Sequence, residues 1–487
     1  MLTILRRRTT ASGAGAFQIT QAITPALHCF LFTQFMSIEY PALHTLMNRL
    51  PLYVALAYIV LLTSGCGGTW SSGATASRPE IKIPAAAPLA GNDQASETMV
   101  RFLEDRVKRD PEDFVANNKL AAFYLHRARE TGNLNYLDLA MRAAKASLAS
   151  VPVMRNEGGL SALTQAEFSL HDFASARDHA LQLTELDPGE SYPHALLGDV
   201  LLELGDYKGA ASAFQKFQRI GGLNDSSETR QARLAYLRGD HAAATRHYAA
   251  ALVMALDHPV PPRETIAWCR WQLGEMAFAV GDYETAERHY RESLVTYPNY
   301  YRALASLGRV RAASGDLPAA IHQYERAVQI LPDLQFVAAL GDLYKLAGRE
   351  REAATQYALV EQIGRLSAAS GALYNRQLAL FYADHDMKAE AAYADAVKEY
   401  EARQDIYGAD AVAWTALKAG KISEAQAAIK EALKLGTRDA KLFYHAGMIA
   451  RAAGQKDAAH DYLKQALALN PQFDPLQAVI ARNALEN

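Results

Sequence analysis

An 18-residue motif recurs through most of this 487-residue chain, and no other feature limits the possible fold as strongly. Five copies are LGDVLLELGDYKGAASAF (197–214), LGEMAFAVGDYETAERHY (273–290), LGRVRAASGDLPAAIHQY (307–324), LGDLYKLAGREREAATQY (340–357) and AGMIARAAGQKDAAHDYL (446–463). Each copy has a glycine at its second position, another glycine seven residues later, an alanine five further on, and then a bulky residue after four more. Such self-similarity predicts an array of equivalent helix pairs, each stacked on its neighbours.

Each fixed position of the motif has a structural reason. The second glycine marks the turn after the first helix, because a left-handed backbone conformation costs glycine little. The alanine lets two antiparallel helices approach closely, the bulky residue fills the space beside it, and a proline ends the second helix. The expected turn glycines are Gly205, Gly239, Gly281, Gly315, Gly348, Gly420 and Gly454, and the alanines are Ala210, Ala244, Ala286, Ala320, Ala353, Ala425 and Ala459.

Three stretches match the motif less closely and complete the predicted count. Residues 372–397 form one degenerate repeat, residues 161–188 carry His171 at the turn position, and residues 117–152 form a lengthened first repeat. An insertion of eight residues falls in the loop at 256–264. We therefore expect about ten repeats, and the tail at 475–487 is predicted to be a capping helix with Leu476, Val479, Ile480 and Ala484 on its apolar face.

The motif resembles the tetratricopeptide repeat, and the resemblance covers residues 97–487. It implies an all-α superhelix of helix-turn-helix repeats over residues 97–474, with a concave groove that binds a partner protein. One stripe of each first helix lines that groove in the family, offset by roughly 200° from the packing stripe. The residues expected there are Arg233, Tyr236, Trp268, Trp271, Glu275, Phe278, Arg302, Arg309, Asp342, Trp414 and Arg451.

This aromatic and arginine lining favours an extended peptide segment or a helix of a partner, because such residues are enriched among binding hot spots. The asparagine and lysine pattern with which some family members bind a terminal carboxylate does not occur at these positions. The alternative is that Trp268 and Trp271 only fill the irregular junction beside the inserted loop.

The N-terminal region predicts a lipid anchor. Residues 50–62 form an uncharged apolar run of 13 residues, which is short for a membrane-spanning helix and is followed by small residues before Cys66. This arrangement resembles a bacterial lipoprotein signal at 47–65, which implies acylation of Cys66 and, because Gly67 follows it, an outer-membrane location. We expect residues 1–46 to be an over-extended N-terminus and residues 66–96 to be a flexible tether. The alternatives are an uncleaved N-terminal anchor, or a cytoplasmic adaptor translated from Met1.

Composition and motifs narrow the functional classes. The net charge is −3, with no basic block, so nucleic-acid binding is not expected. No common hydrolase, nucleotide or zinc motif occurs, so we expect no catalytic residue, metal or cofactor. His179, His247 and His289 are interpreted as surface or half-buried histidines, and Cys269 as a small buried apolar residue. The sequence thus favours an envelope scaffold, with a regulatory or sensor subunit of a separately encoded enzyme or transporter as the alternative.

Overall fold

A computed structural model describes residues 81–89, 93–369 and 376–486, and this part of the chain is helical without any strand. The expected lipoprotein signal and Cys66 lie outside it. The α-helices are α1 Asp93–Arg109, α2 Phe114–Thr131, α3 Asn135–Ser150, α4 Glu157–Ser169, α5 Phe173–Leu186, α6 Tyr192–Glu203, α7 Tyr207–Gly221, α8 Asp225–Leu237, α9 His241–Leu256, α10 Arg263–Ala279, α11 Tyr283–Thr296, α12 Tyr301–Ala313, α13 Leu317–Ile330, α14 Leu334–Leu346, α15 Glu350–Ala369, α16 Arg376–Asp384, α17 Ala389–Ala402, α18 Ile406–Lys418, α19 Ile422–Ala432, α20 Ala440–Ala452, α21 Lys456–Leu469 and α22 Gln477–Glu486.

Helices α2 to α21 form ten successive antiparallel pairs, so the predicted all-α repeat array is confirmed. We call the link inside each pair a hairpin turn and the link between pairs a connector. The seven predicted turn glycines all have positive φ, from 71° at Gly348 to 84° at Gly205, and His171 adopts φ 65° at the equivalent position. None of the described helices is both long and apolar enough to cross a membrane.

The first glycine of the motif sets how closely the two helices of a pair approach. A Cβ atom on Gly308 would lie 2.6 Å from Cδ2 of Tyr324, and one on Gly447 would lie 2.7 Å from Cγ of Leu463. The bulky residue therefore occupies the volume that the glycine leaves empty. The motif alanines beside it are buried, and Ala320 is fully inaccessible to solvent.

Two expectations at the ends of the array are wrong. Val479 and Ile480 of α22 are about half exposed, and this helix instead packs through Gln477, Ala478 and Ala481. Small side chains at the buried positions let the helix lie close to the last repeat, which its apolar pattern did not reveal.

The expected flexible tether is also too long. Ile83 and Leu89 pack against the apolar cluster of α8, α9 and α10, and the carbonyl oxygen of Pro84 accepts a hydrogen bond of 3.0 Å from Nη2 of Arg270. Helix α1 then begins at Asp93. The last part of the segment 66–96 is therefore packed against the repeats.

Successive turns of the superhelix contact each other along what we call the seam. The first superhelical turn comprises α2 to α13, and the second comprises the helices from α14 onward. Hairpin turns of the first superhelical turn meet connectors about 200 residues later in the chain. The backbone amide of Ile406 donates a 2.8 Å hydrogen bond to Oη of Tyr207, and the guanidinium of Arg403 pairs with Glu203. The seam thus joins elements that are remote in sequence, in addition to the neighbour contacts of the repeats.

Three more hairpin turns extend the seam in both directions. The hydroxyl of Thr437 donates to the carbonyl of Leu237, and Nδ2 of Asn470 donates to the carbonyl of Phe278 at 2.7 Å. The hairpin turn at Gly132, after α2, lies against the side chain of Leu331 in the connector after α13. The seam therefore combines hydrogen bonds and ion pairs with apolar contacts, such as those of Ile406 and Leu435 in one cluster with Leu234 and Leu237.

Candidate partner-binding groove

Helix α10 presents two stripes with different roles, and this arrangement positions the centre of the groove. Leu273, Gly274 and Ala277 are buried against the partner helix and the neighbouring repeat. Trp271 and Glu275 share a second stripe, because residues four apart lie on nearly the same side of a helix. The stripe faces the hollow centre of the superhelix.

A cavity of about 400 Å³ lies at this place, and we call it the interior cavity. Residues from both superhelical turns line it, so it exists only because the seam brings the turns together. Six of the expected groove residues are in its wall, namely Arg233, Tyr236, Trp271, Glu275, Phe278 and Arg309. Whether they bind a partner stays a prediction.

Glu275 and Arg309 are paired to each other in the wall of the cavity. Nη2 of Arg309 lies 2.6 and 2.7 Å from the two carboxylate oxygens of Glu275, which also accept hydrogen bonds from Tyr290 and Ser306. Burial acts to raise the pKa of Glu275, but the charge of Arg309 and these hydrogen bonds lower it overall. The carboxylate is therefore held in its charged form.

Other charges on the first superhelical turn are also paired. Nη2 of Arg233 donates to Glu203 at 2.6 Å, and the guanidinium of Arg309 lies 4.0 Å from the ring centroid of Phe278. Trp271 donates its indole N–H to Oγ of Ser306 at 2.9 Å. The wall consequently combines aromatic surface with charges that are already neutralised within the protein.

The second superhelical turn supplies wall residues that sequence reasoning missed. Tyr407, Asp439, Lys441 and Phe473 lie opposite α10, and Oη of Tyr236 is 3.4 Å from Oδ2 of Asp439. Repeat periodicity gives the position of each residue within its own repeat, but it does not give the number of repeats in one superhelical turn. The signal available in the sequence was therefore insufficient to find them.

Five expected groove residues lie elsewhere. Asp342 accepts hydrogen bonds from Tyr357 and His385, and Arg302 lies over the ring of Trp271. Trp268 makes an edge contact with Tyr248, with 5.7 Å between ring centroids, so for Trp268 the junction-filling alternative describes the packing better.

The expectation that Trp414 faces the open groove is wrong. It is 2% exposed, and its indole N–H donates to Asp384 at 2.7 Å. Its ring stacks on His445 with 4.1 Å between centroids. Arg451 donates to the carbonyl of Ala484 at 2.7 Å, so it contacts the capping helix.

The remaining candidate groups are engaged in local contacts. His179 and His247 each lie 2.7 Å from a glutamate carboxylate, of Glu167 and Glu228 respectively. Burial raises the pKa of the Cys269 thiol well above its ordinary value, so the thiolate is disfavoured. Among the described residues, no group of three or more histidine, cysteine or acidic side chains could hold a metal ion.

Paired helices, left-handed hairpin turns and a hollow axis define a helical-repeat scaffold. The tetratricopeptide repeat model matches residues 162–224, 272–334 and 411–472. The chain therefore contains tetratricopeptide repeats in these three regions.

Known proteins resemble parts of the chain. A stretch of 57 residues is 42% identical to Cellulose synthase operon protein C of Komagataeibacter xylinus, covering 12% of this chain and 4% of that protein. The structure of PilW, described as a widely conserved type IV pilus biogenesis factor, matches 43% of this chain and 93% of its own, with 15% identity and a TM-score of 0.36. MamA 41-end from Desulfovibrio magneticus RS-1 matches 36% of this chain and 95% of its own, with 16% identity and a TM-score of 0.29.

Proposed function

We propose that this protein is a lipid-anchored adaptor of the bacterial cell envelope that binds an extended segment of a partner protein in its interior cavity. The observation that carries the proposal is the wall of that cavity, which exposes Trp271 and Tyr236 beside paired charges. Aromatic side chains of this kind supply contact area, while neutral pairs accommodate a peptide backbone better than a highly charged ligand.

The dimensions of the interior cavity favour an extended partner segment over a helical one. An α-helix with its side chains is about 10–12 Å across, whereas Tyr236 and Asp439 from opposite superhelical turns already approach to 3.4 Å. An extended segment of a few residues fits the volume of about 400 Å³ without separation of the turns.

The cellular setting is proposed from the sequence. The apolar run before Cys66 supports a lipid anchor, and Gly67 after it supports an outer-membrane location, where we propose a role in assembly or export. The intact mass of the membrane-extracted protein should correspond to a chain that begins at an acylated Cys66. A soluble protein that begins at Met1 would contradict the anchor and favour the cytoplasmic adaptor.

Site-specific photo-crosslinking tests the cavity. A photoreactive amino acid at Gln272, which lines the cavity, should capture a partner protein in intact cells. The same amino acid at exposed Gln215 of α7 is the matched control and should not capture it. The Gln272→Trp variant should abolish partner binding by filling the cavity, whereas Gln215→Trp should retain it. Equal binding by both variants would contradict the proposal.

A second function is kept as the alternative, since a cavity lined by aromatic and polar side chains also suits a small-molecule sensor. In that case a regulatory subunit would bind a small molecule in the interior cavity and act on a separately encoded enzyme or transporter. Crosslinking at Gln272 would then yield no protein partner, and the purified protein would be stabilised by that small molecule.

A further inference from the structure

The hairpin turns fall into two groups that differ in what covers them. A Cβ atom on Gly239 would lie 2.5 Å from the carbonyl oxygen of Gly436, and one on Gly132 would lie 2.5 Å from Cδ2 of Leu331. Gly205 and Gly281 are covered in the same way by connectors of the following superhelical turn. These four glycines mark the covered part of the seam.

The later hairpin turns have the same left-handed glycine and no cover. Within the described part of the chain, nothing lies within 4 Å of a Cβ atom placed on any of the four. They are Gly315, Gly348, Gly420 and Gly454. We call this surface the free turn edge, and it is the direct continuation of the seam.

The opposite end of the superhelix presents connectors of the first superhelical turn, which we call the free connector edge. Three connectors carry large apolar side chains that are strongly exposed, with 74% exposure for Met154, 58% for Leu223 and 80% for Val260. In the seam the equivalent connectors are in contact with hairpin turns. Each of the three connectors thus leaves one apolar side chain available for contact with a partner.

The two free edges differ in their charged residues. The hairpin turns at Gly420 and Gly454 are basic, with Lys418, Lys421, Arg451 and Lys456, whereas those at Gly315 and Gly348 also carry Asp316 and Glu350. The connectors of the first superhelical turn carry more acidic than basic residues, namely Asp187, Glu190 and Asp257 against Arg155. Opposite charges on two surfaces that meet favour correct pairing and faster association.

We propose that the free turn edge of one molecule binds the free connector edge of a second copy of this chain. The contact repeats, between molecules, the geometry that the seam already shows within one molecule. It is heterologous, because each copy contributes a different edge, so it leaves one free edge of each kind and extends into a linear stack. The inference is separate from the proposed function, because neither edge contributes to the interior cavity.

Two single-edge variants of the full-length protein test this arrangement. Leu223→Arg with Val260→Arg blocks the connector edge, and Lys345→Glu with Lys456→Glu reverses the charge of the turn edge. All four positions are exposed, so the fold is retained, which circular dichroism checks. Leu181→Arg, at an exposed apolar position in the middle of α5, is the control.

The average mass in solution is measured over a hundredfold dilution series by sedimentation. We expect the wild type and Leu181→Arg to grow beyond a dimer with rising concentration, and each edge variant alone to stay monomeric. An equimolar mixture of the two edge variants should form a heterodimer and nothing larger, because only one complementary pair of edges remains. A monomeric wild type, edge variants that associate like the wild type, or a mixture without heterodimers would each overturn the proposal.

Discussion

Glycine and a bulky residue sixteen positions later determine how closely the helices of each pair pack. The side chain of Tyr324 lies against Gly308, and that of Leu463 lies against Gly447, so the missing Cβ atom is part of the interface. Interiors are packed too densely to absorb an added methyl group without displacement of the neighbouring side chain. This pairing is local enough in sequence to be recognised from the motif.

Gly308→Ala should therefore lower the free energy of unfolding by about 1–3 kcal/mol, the usual penalty for overpacking. The added Cβ atom would lie 2.6 Å from the ring of Tyr324. Urea denaturation measures the change. Gly189→Ala is the control, because a Cβ atom there meets only Oδ1 of Asp187 at 3.4 Å, and equal effects of the two substitutions would contradict this packing.

A second prediction concerns how the stability supplied by the Glu275–Arg309 ion pair depends on pH. The pKa of Glu275 is lowered in the fold, so its stabilising contribution is present above the ordinary glutamate pKa of about 4.3 and is lost as the pH falls through the lower folded value. Glu275→Gln should therefore lower the unfolding temperature at neutral pH, and the difference from wild type should shrink below about pH 4. Exposed Glu185→Gln should have no such effect. A difference that stays constant down to pH 3 would contradict the assignment.

Among the elements, the eighth repeat departs most from the motif. Its hairpin turn places two non-glycine residues, Asp386 and Lys388, at φ values of 55° and 48°. Non-glycine residues rarely adopt this conformation because the side chain crowds the backbone. The repeat is therefore the element with the least favourable local structure.

Amide hydrogen exchange should be faster in α16 and α17 than in α12 and α13. The latter pair has a turn glycine, Gly315, and buries Ala320 and Tyr324 between its helices. Local opening is favoured where the backbone is strained. Equal protection of the two pairs in exchange measured by mass spectrometry would be inconsistent with this ranking.

The sequence was sufficient to predict the ten helix pairs and their left-handed turns, because these depend on residues close together in the chain. It was insufficient for the capping helix, where Val479 is exposed and Ala478 is buried. It was also insufficient for Trp414, whose burial depends on Asp384 and His445 from other helices. Amphipathic patterns indicate which residues are apolar, but the orientation of a terminal helix depends on the surface it meets.

For the whole molecule, the central feature is the seam that encloses the interior cavity. Tyr207 and Ile406, which are 199 residues apart in the chain, are joined by one hydrogen bond of 2.8 Å. Stacking between neighbouring repeats leaves the superhelical pitch adjustable, whereas contacts between superhelical turns fix it. The seam thus determines both the size of the cavity and which residues face each other across it.

Arg403→Met should loosen the seam. It removes the pair with Glu203 and the contact of the guanidinium with the ring of Phe173, whose centroid is 4.9 Å away. It also removes the ion pairs of Arg403 with Glu399 at 3.6 Å and Asp405 at 3.3 Å. Arg376 still pairs with both of these carboxylates. We expect the helix content to be retained while the radius of gyration from small-angle scattering increases. Arg177→Met, which removes an exposed pair with Asp178, should leave the radius unchanged. Unchanged dimensions in both variants would show that the seam does not depend on this arginine.

Cross-linking across the seam tests the enclosed superhelix most directly. Nζ of Lys434 lies 5.9 Å from the ring centroid of Tyr207, whose neighbour in the chain is Lys208. A short amine-reactive reagent should therefore link Lys208 to Lys434, and mixtures of isotopically light and heavy protein identify links within one molecule. We predict that this link forms within single chains in dilute solution. Its absence, or light–heavy links in the proportion expected for random pairing of chains, would contradict the closure of the superhelix on itself.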